Sequence, residues 1–368
     1  MILGRREAIV GIGGLGLAAS VFGMTGPADT PVTPEPLKVH AARRGLNFGA
    51  MIRTAYLQEP ALVKLLLDEA DMTVAEVEMK WGAIERTRGN PYYGEADQIA
   101  RFCKKNSLRL RGHAGFWYRN IPQWAELAMK GPDWRKVLLA RVSSMIGHYR
   151  GRVSEWDVVN EAIDATDSSF FPRQVPFGRP MDFGYIADAF HAAREADPST
   201  LLFYNDFGME YDTPLEDQRR AGLLALLDEL RRRNAPIQGF GLQAHLGVHR
   251  NFNAKKLRAF LGEVAARGVI IRLTEFDVMD RYAAAPPGAR DQAVADHARR
   301  FLDAAFDEPQ VKGLVCWGIR DRDSWVLQEK WTRGLLERPL PWDDQLRRKP
   351  LWTAIAAAFD AAPVRQPG

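Results

Sequence analysis

Cysteine is nearly absent from this chain: Cys103 and Cys316 are the only two among 368 residues. They form no CxxC pair and no zinc-ligand spacing, so a thiolate metal site is not expected. Cys316 lies in the apolar run LVCWG and is expected to be a buried thiol; a pairing with Cys103 stays open. Blocks of Lys and Arg interleaved with aromatics are also missing. The net charge of +4 and pI near 9.0 are a mild excess at this length, which argues against a nucleic-acid partner. No glycine-rich phosphate turn follows the first apolar segment, which reads GAMIRTAYL. That weighs against an open dinucleotide-binding sheet. The charged fraction of 26% is ordinary and the hydrophobic fraction is 46%, as in one large folded domain or two ordinary ones.

What is present begins at the N-terminus. MILGRREAIVGIGGLGLAASVFGMTGPAD carries a twin Arg at Arg5 and Arg6, then no charge between Glu7 and Asp29. This stretch resembles a bacterial twin-arginine export signal, expected to span residues 1–28, and the GIGGLG within it belongs to that signal. The alternatives are an uncleaved anchor or a disordered tail, although the segment is thinly hydrophobic for a membrane span. The Pro-rich ADTPVTPEPLK opens an extended linker at 29–44. The main folded domain is then expected at 45–362, with a tail at 363–368. The expected location is periplasmic or extracellular, with no stable membrane partner after export.

From Gly45 onward, short apolar runs alternate with longer amphipathic ones, the rhythm of parallel βαβ units. Eight strands are predicted: near 46–51, 71–77 and 108–114, then at 154–160, 201–206, 237–245, 269–276 and 313–318. Amphipathic patterns between them, such as PALVKLLLDEA and DQRRAGLLALLDELRRRN, predict helices. Eight such units predict an α/β fold of the (β/α)₈ TIM-barrel type in a single domain.

The C-terminal ends of these strands carry polar groups: Glu76 with Lys80, His113 with Trp117, Asn160 with Glu161, and Asn205 with Asp206. Gln243 with His245, Glu275 with Asp277, and Trp317 with Trp325 follow. In a barrel these ends converge on one mouth. Any one is explicable as a surface strand end; together they are not, because burying unpaired carboxylates is costly. Glu161 and Glu275 could then face each other at the about 5–5.5 Å that retaining glycoside hydrolysis uses. One would be protonated and the other ionised. Asn205 and Asp206 are expected to brace the mouth, Trp124 and Trp156 to lie in the core, and RRRN at 231–234 to be a solvated helix end. Trp331 and Trp342 lie on late loops and are left between core and cleft. YAAAPPGARD at 282–291 is a long insertion that borders the cleft or is simply a mobile loop.

The segments EMKWGAIERTRG, RGHAGFWYRNIPQW, WDVVNEAID, YNDFGME, GFGLQAHL, RLTEFDV and CWGIRDRDSW resemble glycoside hydrolase family 10, the endo-β-1,4-xylanase family, over about residues 45–360. The resemblance implies a retaining hydrolase cleaving internal β-1,4-xylosidic bonds of xylan or xylo-oligosaccharides, acting as a monomer on a β-linked glycan with no cofactor and no metal. It implies Glu161 as acid/base, Glu275 as nucleophile, His245 as the nucleophile's partner and Asn160 as the contact to the sugar 2-hydroxyl. Glu76, Lys80, His113, Trp117, Gln243, Trp317 and Trp325 fall on its substrate-binding positions. Departures exist. Val77 stands where the family has a sugar-binding asparagine, and Tyr118 where it has a histidine; Arg119 and Asn120 also differ. Arg119 adds a fork suited to a carboxylate, either on a uronic acid branch or in a surface ion pair. The same fold and mechanism on another β-linked glycan or glycoconjugate therefore remains an alternative, and a non-catalytic carbohydrate-binding protein a more remote one.

Overall fold

In the computed structural model, residues 33–178, 181–280, 286–328 and 336–365 are described. Eight parallel strands close into a barrel: β1 Asn47–Ile52, β2 Met72–Ala75, β3 Arg109–Trp117, β4 Glu155–Asn160, β5 Leu201–Asp206, β6 Gly239–Leu242, β7 Ile270–Met279 and β8 Val311–Cys316. Each pairs in parallel with the next, and β8 pairs with β1. Helices return the chain between strands, so the (β/α)₈ expectation holds. The sixth strand stops at Leu242, earlier than expected, and the chain resumes pairing with β7 at His245–Gly247.

Local chemistry sets the helix starts. Pro60, Pro214, Pro287 and Pro350 open their helices, where a missing N–H costs nothing. Thr213 caps Pro214–Arg232 by accepting from Glu216 N at 3.2 Å, and Asn253 caps Ala254–Ala265 in the same way. The RRRN segment does close a helix, where Arg232 and Arg233 pair with Glu229. A hairpin of Ile163–Ala165 with Phe170–Pro172 lies on the Pro214–Arg232 helix at Gly222. A Cβ there would meet Ile163 at 2.9 Å.

The barrel interior is partly ionic. Successive inward residues of β3 and β4 lie in register, Arg111 beside Glu155 and His113 beside Asp157. Arg111 bonds both carboxylates, and Arg272 Nε of β7 lies 2.8 Å from Glu155. All are buried. Trp156 and Trp342 are core residues, whereas Trp124 is half-buried and donates to Glu85 O. Cys103 and Cys316 are both buried free thiols.

Two expected boundaries shift. The 29–44 linker is not extended throughout, because Leu37–Ala42 is a helix. Burial of Leu37 and Ala41 stabilises it, and Glu69 accepts from Leu37 N at 2.8 Å. The start of the 363–368 tail is docked: the Arg365 guanidinium is buried and donates to the carbonyls of Val311 and Phe306. The 1–28 signal, Trp331 and residues 281–285 of the insertion lie outside the described residues; from Pro287 that insertion is already helix.

Candidate active site

Glu161 and Glu275 stand at the C-terminal end of β4 and within β7, 8% and 5% exposed. Register shifts occur beside both: between Asp157 and Val159 on β4, and between Leu273 and Phe276 on β7. Such bulges re-aim side chains at barrel rims. Glu161 also has φ +57°, a conformation costing a non-glycine residue about 1–2 kcal/mol. The surroundings hold it there. Glu161 N donates to Asn205 O at 2.8 Å, and its carbonyl accepts from Arg173 Nε at 2.7 Å. The next peptide is fixed too, with Ala162 N donating to Tyr204 OH at 2.9 Å and Tyr204 bonded to Asp206.

An amide cluster links the two carboxyls. Gln243 Nε2 donates to Glu161 Oε1 at 3.0 Å, while Gln243 O accepts from Glu275 N at 2.9 Å. Asn205 Nδ2 donates to Glu275 Oε1 and to Asn160 Oδ1, both at 2.8 Å. In that orientation Asn160 Nδ2 reaches Glu161 Oε1 at 3.3 Å. Turned over, the same amide donates to Asn205 O at 3.1 Å and accepts from the Trp117 indole at 3.2 Å. Asn205 thus braces the mouth as expected, and does so by bonding the Glu275 carboxylate.

The surroundings of the two carboxyls differ. His245 Nε2 lies 3.3 Å from Glu275 Oε2, and its Nδ1 lies 3.0 Å from Asp277 Oδ1. Asp277 also accepts from Trp325 Nε1 at 2.7 Å. Burial alone would push the His245 pKa down, but Asp277 and Glu275 together raise it to about 10. The ring is therefore a cation donating from both nitrogens. Burial would likewise raise the Glu275 carboxyl; the His245 hydrogen bond and the charges of His113, His245 and Lys80 outweigh it and hold the pKa at about 2. Among the described residues, the Glu161 carboxylate receives amide donors only. Below it, burial chiefly drives Asp206 up to about 7, with the Glu161 charge adding to the rise and Tyr204 and Arg219 opposing it.

The remaining expected residues surround this pair. Lys80 Nζ sits 4.5 Å from the Trp117 ring centre. Burial lowers its pKa, against the pull of Glu275, Glu76 and Glu161. His113 is oriented by Asp157 at 3.0 Å and packs edge-on against Trp317 at 5.3 Å. Trp317 is 5% exposed and packs with Met51, Met72, Val74 and Val315, so most of its ring is core. Trp325 packs on His245 at 5.0 Å. Glu76 is already gripped by Arg53 Nε and Nη2, and Val77 beside it is 36% exposed. Arg53, Asp157, Arg173 and Tyr204 were not anticipated. Only Asp157 had a signal, its alternation with Glu155 opposite the Arg109, Arg111 and His113 alternation.

Among the described residues, no group of three or more His, Cys, Asp or Glu side chains could hold a metal ion.

The sequence profile for glycosyl hydrolase family 10 matches residues 36–358. An endo-1,4-beta-xylanase of Agaricus bisporus is 32% identical over 326 residues, 87% of this chain and 93% of that protein. Endo-1,4-beta-xylanase C of Phanerodontia chrysosporium is 30% identical, covering 86% and 77%. The crystal structure of native xylanase 10B from Thermotoga maritima superposes with a TM-score of 0.78 at 25% identity, covering 88% of this chain and 98% of that one. Xylanase 10B of Thermotoga petrophila, solved in complex with xylobiose, has a TM-score of 0.79 at 24% identity, covering 90% and 99%, a likeness of fold.

Proposed function

The chain belongs to glycosyl hydrolase family 10, and we propose that it is a retaining endo-1,4-β-xylanase in which Glu275 is the nucleophile and Glu161 the acid/base. The observation that carries this is the asymmetry of the pair. Glu275 is held ionised by His245 and Asn205, whereas among the described residues no cationic side chain bonds Glu161. A carboxylate kept charged can attack the anomeric carbon, and a carboxyl without such a partner can carry the proton that the leaving oxygen needs. Glu275 forms the glycosyl-enzyme as the C–O bond to the leaving sugar breaks and Glu161 delivers its proton. Glu161 then takes a proton from water, whose oxygen displaces Glu275, and both groups return to their starting states.

Asn160, between Glu161 and Asn205, is proposed to bind the 2-hydroxyl of the sugar being attacked. Gln243, Lys80 and His113 offer further hydroxyl contacts, with Trp117 and Trp325 as ring walls and the exposed edge of Trp317 above His113. Glu76 meets the next sugar only alongside Arg53. The catalytic unit is proposed to act as a monomer outside the cytoplasm. The twin Arg of residues 1–28 supports export, and no helix among the described residues is long and apolar enough to cross a membrane.

Hydrolysis of xylohexaose followed by proton NMR tests the assignment. The β-anomer should appear first at the new reducing end. Glu275→Ala should fold normally and lose on the order of 10⁴-fold or more in kcat. First appearance of the α-anomer, or near-wild-type turnover by the variant, would remove Glu275 from the mechanism.

A further inference from the structure

Outside the barrel mouth, one buried guanidinium lacks a paired counter-charge. Arg141, on the Trp134–His148 helix, is 3% exposed. Its Nη2 donates to Met79 O at 2.8 Å and to Ala114 O at 3.5 Å. Its Nε has no hydrogen-bond partner, and among the described residues Nη1 bonds nothing and no carboxylate pairs with the group. Burial brings its pKa down to about 10, against the pull of Tyr93, Glu85 and Tyr149. A buried cation without a bonded anion is costly.

Arg141 lines a cleft of about 300 Å³ together with Trp81, Trp124, Arg88, Val137 and Ala140. The indoles of Trp81 and Trp124 meet at 85° with their ring centres 5.7 Å apart. The Arg141 guanidinium lies 5.9 Å from the Trp81 ring centre. Arg88, exposed and without an ion pair among the described residues, lies 5.5 Å from that of Trp124. One carboxylate shares the lining, Glu85, whose oxygens accept from Trp81 Nε1 at 3.2 Å and Gly89 N at 2.8 Å. It fixes an indole and acts on Arg141 only at a distance. Two guanidiniums against one carboxylate leave the cleft positive.

The walls select the kind of anion. Phosphate or sulfate would leave both indoles uncovered. A sugar acid would bring hydroxyls to a lining whose one hydroxyl, that of Ser144, already donates to Arg141 O at 3.1 Å. An aromatic ring can lie face-on to one indole and edge-on to the other, the arrangement that such rings prefer. We propose that this cleft binds a single-ring aromatic carboxylate, with the carboxylate between Arg141 and Arg88 and the ring between Trp81 and Trp124. The site is distinct from the reacting pair. Arg141 reaches toward the mouth only through the carbonyls of Met79 and Ala114, beside Lys80 and His113, so the proposal does not depend on the hydrolytic reading.

A ligand-observed NMR titration of the whole protein, with sodium benzoate as the probe at neutral pH and low salt, tests this. Benzoate should bind with a Kd on the order of 1 mM, weakening as NaCl screens the charge. Benzamide keeps the ring and lacks the charge; acetate, phosphate and glucuronate lack the aromatic ring. Each should bind about tenfold more weakly or worse, the worth of one charge-assisted hydrogen bond or one ring contact. Arg88→Ala and Trp124→Leu change exposed or half-buried side chains, and each should raise the benzoate Kd about threefold or more. Arg141→Gln should lose benzoate binding; if that variant fails to fold, the other two decide. Absence of benzoate binding, equal binding of any of the four controls, or a benzoate Kd unchanged in Arg88→Ala or Trp124→Leu overturns the proposal.

Discussion

Replacing His245 with Asn isolates the electrostatic support of Glu275, the proposed nucleophile. The Glu275 pKa of about 2 against an ordinary 4.5 corresponds to about 3 kcal/mol of preference for the carboxylate at 1.36 kcal/mol per pH unit. His245 acts twice, as hydrogen-bond donor and as charge, whereas His113 and Lys80 act through charge alone. An opposite charge at this range is worth about one to three pH units. Because the burial penalty stays when His245 goes, the acid limb of kcat/KM should move up by about that amount. The sign follows from the depressed value: wild-type Glu275 stays ionised as pH falls until about 2, so the wild-type rate should be flat from pH 6 to pH 4. The variant's limb should lie between about pH 3 and pH 5, so its rate should turn down at a higher pH than that of the wild type. An aryl xylobioside with a good leaving group is the substrate of choice, because it lessens the demand on Glu161. Stability should respond at the other end of the scale. A histidine raised to about 10 stabilises the fold fully below its ordinary 6.5 and loses that contribution as pH rises through 10. The melting-temperature gap between wild type and variant should therefore narrow between those values. An acid limb that moves by less than half a pH unit would refute His245 as the group holding Glu275 ionised.

Two further substitutions probe the reacting centre and one end of the cleft. Glu161→Ala should lose about 10²–10⁴-fold on xylohexaose and much less on the aryl xylobioside, with azide restoring turnover and yielding a β-glycosyl azide; an equal loss on both substrates would argue against a proton-donating role. Val77→Asn restores a hydrogen-bonding group at an exposed position beside Glu76 and should lower KM for xylo-oligosaccharides a few-fold, the worth of one ordinary hydrogen bond. Unchanged or higher KM would mean that this end of the cleft has been rebuilt around the Arg53–Glu76 pair.

The barrel was legible because its signal is distributed. Eight apolar runs at regular spacing, seven of them ending in candidate site groups, tolerate errors of a few residues, as at β6, which ends at Leu242 rather than near 245. Asn160–Glu161 and Glu275 were legible as candidates because the predicted strands that carry them are apolar, so a polar residue stands out. Arg173 and Tyr204 were not, because each acts on a backbone atom of the Glu161 segment, and no side-chain pattern reports where a carbonyl points. Arg53 on Glu76 was hidden for a related reason: the partners belong to different βα units, brought together only by closure of the barrel. The helix at Leu37–Ala42 was masked by its prolines, which read as linker until Glu69 and the last helix supply the surface it packs on.

The buried ions beneath the mouth tie these parts together. Removing charges from water is expensive, and a buried pair is often no more stable than apolar packing of the same volume. Here the pairs are stacked so that one carboxylate serves two layers: Asp157 accepts from Arg111 below and from His113 above. His113 in turn packs on Trp317 and contributes to the field that lowers the Glu275 pKa. An apolar residue at 157 could fill the space, but would leave Arg111 short of an acceptor and His113 without the bond that fixes its ring. The ionic layer is therefore better explained by what it orients than by what it adds to stability. The His113 imidazole is aimed by groups rooted in the barrel strands, whereas Val77, Tyr118 and Arg119 lie beyond the ends of β2 and β3.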